Sequence, residues 1–241
     1  MRILGIDTST KTGSVALIQN EVVLAEYTHS VTQGHSSDST LDSWLISAID
    51  RILQDGDETA NRLKIDGIAV IIGPGAFTGL RIGVSTAKGL GYSLGIQIAE
   101  VTSLDALAAN IPNGFVCPIM NAMREEVYAA FYENGKRKSE YMLIKPEDLA
   151  QRITGVRDQG SEKSGNHQIV TFLGDGVRLW EEFFATRLSG MVSFAPAHNS
   201  YLKAATVASI GMKMLLEGKG KKPEEIVPLY LRVSNAEQQR K

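Results

Sequence analysis

The sequence predicts an α/β fold in two lobes, each a mixed sheet flanked by helices. Three observations predict it. Each half of the chain opens with short apolar strands joined by tight turns and then alternates helix and strand. Neither half reads as strands alone, so antiparallel and parallel pairing must share one sheet. A natural cut lies near residues 102–113, without a flexible linker. It divides the chain into lobes at 1–104 and 105–241, with the terminal segment free to pack back on the first lobe.

The elements follow in order. Residues 3–6 form a short buried strand that runs into a hydroxyl-rich turn, Asp7-Thr8-Ser9-Thr10-Lys11-Thr12-Gly13. Strands at 14–18 and 22–27 make a hairpin around Gln19-Asn20-Glu21. Leu41, Trp44, Leu45, Ala48, Ile49, Ile52 and Leu53 recur at three- and four-residue steps, which is helical periodicity. Ser36, Ser37 or Asp38 can cap the start of that helix and Gly56 can end it. A strand at 64–72 stops at Gly73-Pro74-Gly75, and a helix over about 78–94 follows. A strand at 97–101 and a helix from 104 to 110 close the first series. The second series has paired strands at 115–120 and 126–132, a third at 136–144 and a short helix at 146–152. The polar stretch 154–168 reads as a loop. A strand at 169–173 ends in Gly174-Asp175-Gly176, and a helix at 179–188, a strand at 192–194 and a strong helix at 204–216 come next. Residues 223–232 read as an extended apolar tail.

Composition narrows the classes of function. A chain of 241 residues can bury a large core. A net charge of -2 gives no broad basic surface of the kind a main nucleic-acid platform needs. No apolar run approaches the ~18 residues of a membrane span, and the first strand is no signal-peptide core, so a cytoplasmic protein is expected. The single cysteine, Cys117, sits in an apolar run and reads as a core residue. The histidines 29, 35, 167 and 198 share no helical pair, and no Cys–His cluster exists, so no metal site is expected.

Three phosphate-loop patterns can be tested. The Walker pattern is absent, and Gly73-x-Gly75-x-x-x-Gly79 misses the dinucleotide fingerprint by one residue. The third is an aspartate ending the first strand and followed by hydroxyls, the way actin-like folds present a metal–phosphate loop. Asp7, Thr8, Ser9 and Thr10 with Gly73, Pro74 and Gly75 are the nucleotide-binding candidates, although Asp and Ser/Thr are equally ordinary turn residues. The helix after Gly75 carries Gly79, Gly83, Ala87 and Gly91 at every fourth position. Each interior glycine costs roughly 1 kcal/mol relative to alanine, so something must press closely on that row. Its own sheet and another protein's helix fit equally well.

Several motifs resemble those of the bacterial TsaB (YeaZ) family: Ile-Asp-Thr-Ser at 6–9, Gly-Pro-Gly-Ala-Phe-Thr-Gly-Leu-Arg-Ile-Gly at 73–83, Ala-Lys-Gly-Leu at 87–90, Met-Arg-Glu-Glu-Val-Tyr at 123–128 and Pro-Leu-Tyr-Leu-Arg at 228–232. The resemblance implies an actin-like ATPase (ASKHA) fold. It implies a role in forming N6-threonylcarbamoyladenosine at position 37 of tRNAs reading ANN codons, from a threonylcarbamoyl-adenylate supplied by TsaC. It implies a non-catalytic scaffold that partners the catalytic paralogue TsaD and the ATPase TsaE, pairs with itself when alone, and meets tRNA only through the complex. ATP or ADP with magnesium at the interface with the partner is compatible with it. The paralogue's metal-binding histidine pair is replaced by Ser103 and Leu107, and leucine cannot ligate a metal. That replacement also argues against the glycoprotease label once given to the family. Relatives often carry aspartate where this chain has Asn121.

The partner interface expected from this resemblance uses two helices: His35, Leu41, Leu45, Ile46 and Ile49 on or beside one, and Gly79, Arg81, Ile82, Gly83, Ser85, Thr86 and Gly89 on the other. A large residue at Gly83 is expected to break association and spare the fold. The competing class is a stand-alone ATPase or small-molecule kinase that uses Asp7 and the Gly73–Gly75 turn for phosphates, with Asp175 as a second acidic anchor.

Overall fold

The computed structural model describes residues 1–30, 41–55, 64–160 and 169–232. The elements in chain order are β1 Arg2–Asp7, β2 Thr12–Gln19, β3 Val22–Ser30, α1 Leu41–Asp55, β4 Gly67–Gly73, α2 Phe77–Leu94, β5 Ile98–Thr102 and α3 Ser103–Ala108. They continue as β6 Phe115–Asn121, β7 Val127–Ala129, β8 Tyr132–Glu133, β9 Lys136–Arg137, β10 Met142–Ile144, α4 Pro146–Gly160, β11 Val170–Leu173, α5 Val177–Arg187, β12 Val192–Phe194 and α6 Ala204–Leu216. The chain forms two compact units. One holds residues 1–106 and 202–229; the other holds 107–201 and the described residues from Tyr230 onward.

The first unit has a five-stranded sheet in the order β3-β2-β1-β4-β5. β1 and β2 pair antiparallel from Arg2↔Gln19 to Asp7↔Ser14, and β1, β4 and β5 run parallel. Strands buried on both faces need covers on both. On one face Leu4, Ile6, Val15 and Leu17 pack with Leu45, Ile49 and Ile52 of α1 and Val84 and Ala87 of α2. The other face is covered by α6, whose Gly211 lies so close to Ala69 and Ala99 that a side chain there would collide with them. The sequence-based division placed α6 in the second lobe. The described residues put it on the first sheet, and its small residues Ala204, Ala208 and Gly211 are what let it lie there.

The second unit repeats the pattern. Its sheet runs β10-β7-β6-β11-β12, with β6–β7 and β7–β10 antiparallel and β6–β11 and β11–β12 parallel. Cys117, Ile119, Val170, Phe172, Phe184 and Leu188 form its core, with Leu149 and Ile153 of α4.

Three expectations are corrected in detail. The strand expected at 126–132 breaks into β7 and β8, which pair with the two ends of β6 at Ile119↔Ala129 and Val116↔Tyr132. The interruption falls opposite Pro118, which has no N–H to offer a ladder. The strand expected at 136–144 is likewise two pieces, β9 and β10. The loop expected at 154–168 begins as helix, because α4 runs to Gly160. Residues 161–168 lie outside the described residues, as do His35, the candidate caps Ser36, Ser37 and Asp38, and Gly56. Among the described residues no helix is long and apolar enough to cross a membrane.

Candidate functional site

The turn after β1 is the first candidate. Asp7, Thr8 and Ser9 are all but fully buried. Asp7 Oδ1 accepts the Ser9 N–H at 2.9 Å and the Ser9 hydroxyl at 2.6 Å, an Asx turn closed twice. The Thr8 hydroxyl donates to the Gly79 carbonyl at 2.7 Å, in the first turn of α2. The Ala76 N–H, at the entry of that helix, donates to the Ser9 carbonyl at 2.7 Å. Thr10 caps locally, its hydroxyl donating to the Thr12 carbonyl and accepting the Thr12 N–H.

The structure brings the Gly73-Pro74-Gly75 segment against this turn. Gly73 has φ 133°, a conformation closed to other residues, and the carbonyl of Leu229 occupies the place of its missing side chain. Gly75 lies against Ser9 in the same way. The Gly73–Pro74 peptide is cis. The Pro74 carbonyl accepts the buried Ser103 hydroxyl at 2.7 Å. The candidates Asp7–Thr10 and Gly73–Gly75 therefore do meet, and each contact described is made with the chain itself. Asp175, the proposed second acidic anchor, accepts the Asn121 N–H at 3.1 Å in the second unit. Among the described residues no group of three or more His, Cys, Asp or Glu is placed to hold a metal. Cys117 is enclosed in the second core, where burial raises its thiol pKa.

The glycine stripe faces inward. Gly79, Gly83, Ala87 and Gly91 are buried residues of α2. A side chain at Gly83 would stand closer than 3.0 Å to Thr8 Oγ1 and 3.7 Å from Ile6. One at Gly91 would meet Pro223 and Ile98. The stripe lets β1 and β5 approach α2 in the first unit, and Gly79 and Gly83 leave the list of exposed interface candidates. Leu45 and Ile49 leave it too, at 0% and 4% exposed in the core. Periodicity could not separate inward from outward positions on a helix whose apolar face is wide.

The remaining candidates define a surface. On α1, Ile46 is 58% exposed and stands among Ser43, Ser47, Asp50 and Arg51, all exposed. On α2, Arg81, Ser85 and Gly89 are exposed, and Ile82 and Thr86 are half-buried. Gly89 has nothing within 4 Å of where a Cβ would stand. Leu41 opens α1. Sequence reasoning missed Phe77, which is 44% exposed and lies under Arg81, its ring centre 3.8 Å from the guanidinium carbon. The signal was present as an aromatic and a cation four residues apart.

A duplicated, helix-flanked mixed sheet, with the first-strand turn bonded to α2, defines a two-unit protein of the α/β class. A family model described as "TsaD: tRNA N6-adenosine threonylcarbamoyltransferase" matches residues 24–239. The tRNA threonylcarbamoyladenosine biosynthesis protein TsaB of Bacillus subtilis is 32% identical over 98% of this chain and 96% of its own. Its Escherichia coli counterpart is 30% identical over 96% and 95%. YeaZ from Pseudomonas aeruginosa has the same fold, with a TM-score of 0.70 and 22% identity over 95% of this chain and 99% of that one. The chain belongs to the TsaB (YeaZ) family.

Proposed function

We propose that this chain is a non-catalytic scaffold subunit of the machinery that makes threonylcarbamoyladenosine in tRNA. It docks a TsaD-type catalytic paralogue, with a TsaE-type ATPase as third component. Its relatives are named for that biosynthesis, and the matching family model is that of the catalytic paralogue. The observation that carries the scaffold reading is the self-contained turn at Asp7–Thr10. A phosphate loop turns its amides and hydroxyls toward the ligand. Here the Ser9 N–H and hydroxyl go to Asp7, the Thr8 hydroxyl goes to Gly79 and the Ala76 N–H goes to Ser9. These bonds favour a turn held by its own contacts over a phosphate cradle, and so favour the scaffold over a stand-alone kinase. Ser103 supports the same conclusion. It stands where the paralogue has a metal-binding histidine, and its hydroxyl is engaged by Pro74.

The docking face is the exposed side of α1 and α2: Ile46, Arg81, Ser85, Thr86 and Gly89, with Ile82 at its margin. Small residues there let a partner helix approach, and Arg81, braced on Phe77, is placed to meet an acidic group. With no partner present, the same face pairs two copies of this chain. The reaction's metal and nucleotide chemistry belongs to the partners, and tRNA is reached through the complex in the cytoplasm. The test is reconstitution with purified TsaD-type and TsaE-type proteins, tRNA and threonylcarbamoyl-adenylate. Modified tRNA should require this chain, and Ile46→Asp should abolish both product and co-elution with the TsaD-type protein while thermal stability stays unchanged. Full product from the partners alone, or unaffected co-elution of Ile46→Asp, refutes the reading.

A further inference from the structure

The loop between β6 and β7 contains Met123, Arg124 and Glu125, with φ of 61°, 53° and 60°. Single non-glycine residues visit the left-handed region, but a run of three is exceptional, because each Cβ crowds the following carbonyl oxygen. An Asn-Gly turn would close the same hairpin without that crowding. The three side chains gain no burial in exchange: Met123 is 66% exposed, and Arg124 and Glu125 are exposed.

Besides the Asn121 N–H bond to Asp175, two sets of bonds bear on the left-handed residues. The first is local. Asn121 Oδ1 accepts the Met123 N–H at 2.9 Å, the Met123 carbonyl accepts the Glu126 N–H at 3.1 Å, and the Glu126 carbonyl accepts the Ala122 N–H at 3.0 Å. The second comes from one distant residue. Arg232 Nη2 faces the Ala122 carbonyl at 2.9 Å, the Met123 carbonyl at 3.4 Å and Glu126 Oε2 at 2.6 Å. Arg232 and Glu126 side chains are only 22% and 26% exposed, so this charge-assisted contact is weakly screened. The guanidinium spans the loop, touching residues at its start and end.

We propose that Arg232 is a latch: it positions the 122–126 loop in its left-handed form, so that the 230–232 segment sets the shape of the surface made by Met123, Arg124 and Glu125. When the latch opens, the three residues relax toward right-handed or extended backbone and redirect an apolar, a basic and an acidic side chain together. Strain and latch are then coupled. Removing the strain must remove the need for the latch.

Hydrogen exchange on the full chain tests this. Arg232→Ala should lower protection of the Ala122 and Glu126 amides by about tenfold or more, the usual worth of a charge-assisted bond. The amides of β11 should keep theirs. In a background carrying Met123→Gly, Arg124→Gly and Glu125→Gly, where left-handed backbone is free of crowding, Arg232→Ala should change the same two amides by less than about threefold. Should Arg232→Ala fail to fold, Arg232→Met keeps the apolar stem without the cation and carries the same comparison between backgrounds. An equal loss in both backgrounds, or no loss in the native one, overturns the proposal.

Discussion

Gly83→Ala adds one methyl group and isolates what the glycine stripe is for. In an exposed helix the change would stabilise by about 1 kcal/mol. Here the new Cβ stands closer than 3.0 Å to Thr8 Oγ1, in a layer where Thr8 is 2% exposed. Either the helix moves off β1, at about 1–3 kcal/mol for overpacking, or the threonine rotates. Rotation breaks its bond to the Gly79 carbonyl and leaves two buried polar groups unsatisfied, at about 1–3 kcal/mol. Set against the propensity gain of about 1 kcal/mol, either route leaves a net loss of about 0–2 kcal/mol. A central loss of ~1 kcal/mol lowers Tm by roughly 2–4 °C in a chain of this size. Urea titration should show a lower midpoint at unchanged m, read together with calorimetry. Thr8→Ala removes the colliding oxygen, so in that background Gly83→Ala should be neutral or stabilising. If Gly83→Ala raises Tm in the native chain, or costs the same with Thr8→Ala, the packing argument is wrong. A larger residue at Gly83 would unfold the layer beneath, so loss of partner binding by such a variant says nothing about docking.

Gly89 is the control on the same helix, and Gly89→Ala should raise stability by up to about 1 kcal/mol because no atom lies within 4 Å of the new Cβ; a fall in Tm would mean that this face is already covered. Asp7→Asn should destabilise by about 1–3 kcal/mol in the absence of any nucleotide, since the amide replaces a charged acceptor of two Ser9 bonds in a fully buried turn; unchanged denaturation would return Asp7 to the ligand-binding candidates. Cys117 should resist thiol reagents until the second unit opens. Because burial raises its pKa in the folded chain, only the unfolded chain ionises as pH passes the ordinary thiol value of 9.0, so stability is whole below that pH and should fall above it by up to about 1.4 kcal/mol per pH unit. Rapid labelling at neutral pH without unfolding would contradict this.

Most elements were legible because burial writes a period into the sequence. The 41–53 helix and the 204–216 helix needed nothing else. What was not legible depended on residues far apart in the chain. The glycine row in α2 predicts a close approach and is silent about its direction, since a row of small residues is the same ridge to its own sheet and to a partner helix. Thr8, some seventy positions upstream and bonded to Gly79, decides the matter. The position of α6 is another case. Its apolar residues state that it is covered, but Gly5 and Ala69, which receive it, carry no mark of their partner. The split of β7 from β8 was readable in principle from Pro118, whose missing N–H forbids one ladder bond. The far end of α4 was hidden by composition. Residues 154–160 are mostly polar and hold two glycines, and Gly155 has open space around its Cβ position, so the composition there reads as a loop.

The internal duplication bears on where function lies. β1 and β6 occupy the same place in the two sheets, and each ends in a side chain that closes an Asx turn two residues on: Asp7 to the Ser9 N–H, Asn121 to the Met123 N–H. β4 and β11 end alike in Gly73-Pro74-Gly75 and Gly174-Asp175-Gly176. The amide after the first glycine-rich turn, that of Ala76, is taken by the Ser9 carbonyl, and in the second turn the Gly176 amide is taken by the Ile119 carbonyl. In open α/β sheets such carboxyl ends of strands are where ligands settle. In each unit of this chain one amide of the glycine-rich turn is bonded to the neighbouring strand end instead. The charges differ in keeping with this. Asp7 accepts two bonds from Ser9, whereas the Asn121 N–H is already taken by the Asp175 carboxylate. A second carboxylate at 121 would stand beside that charge with no added donor, and one of the two would be driven toward protonation. A neutral amide keeps the turn and avoids the repulsion, so Asn121→Asp should weaken the 121–126 loop above the ordinary carboxylate pKa and leave it intact below. A pH-independent effect on exchange of the Met123 amide would remove the electrostatic reason for asparagine here.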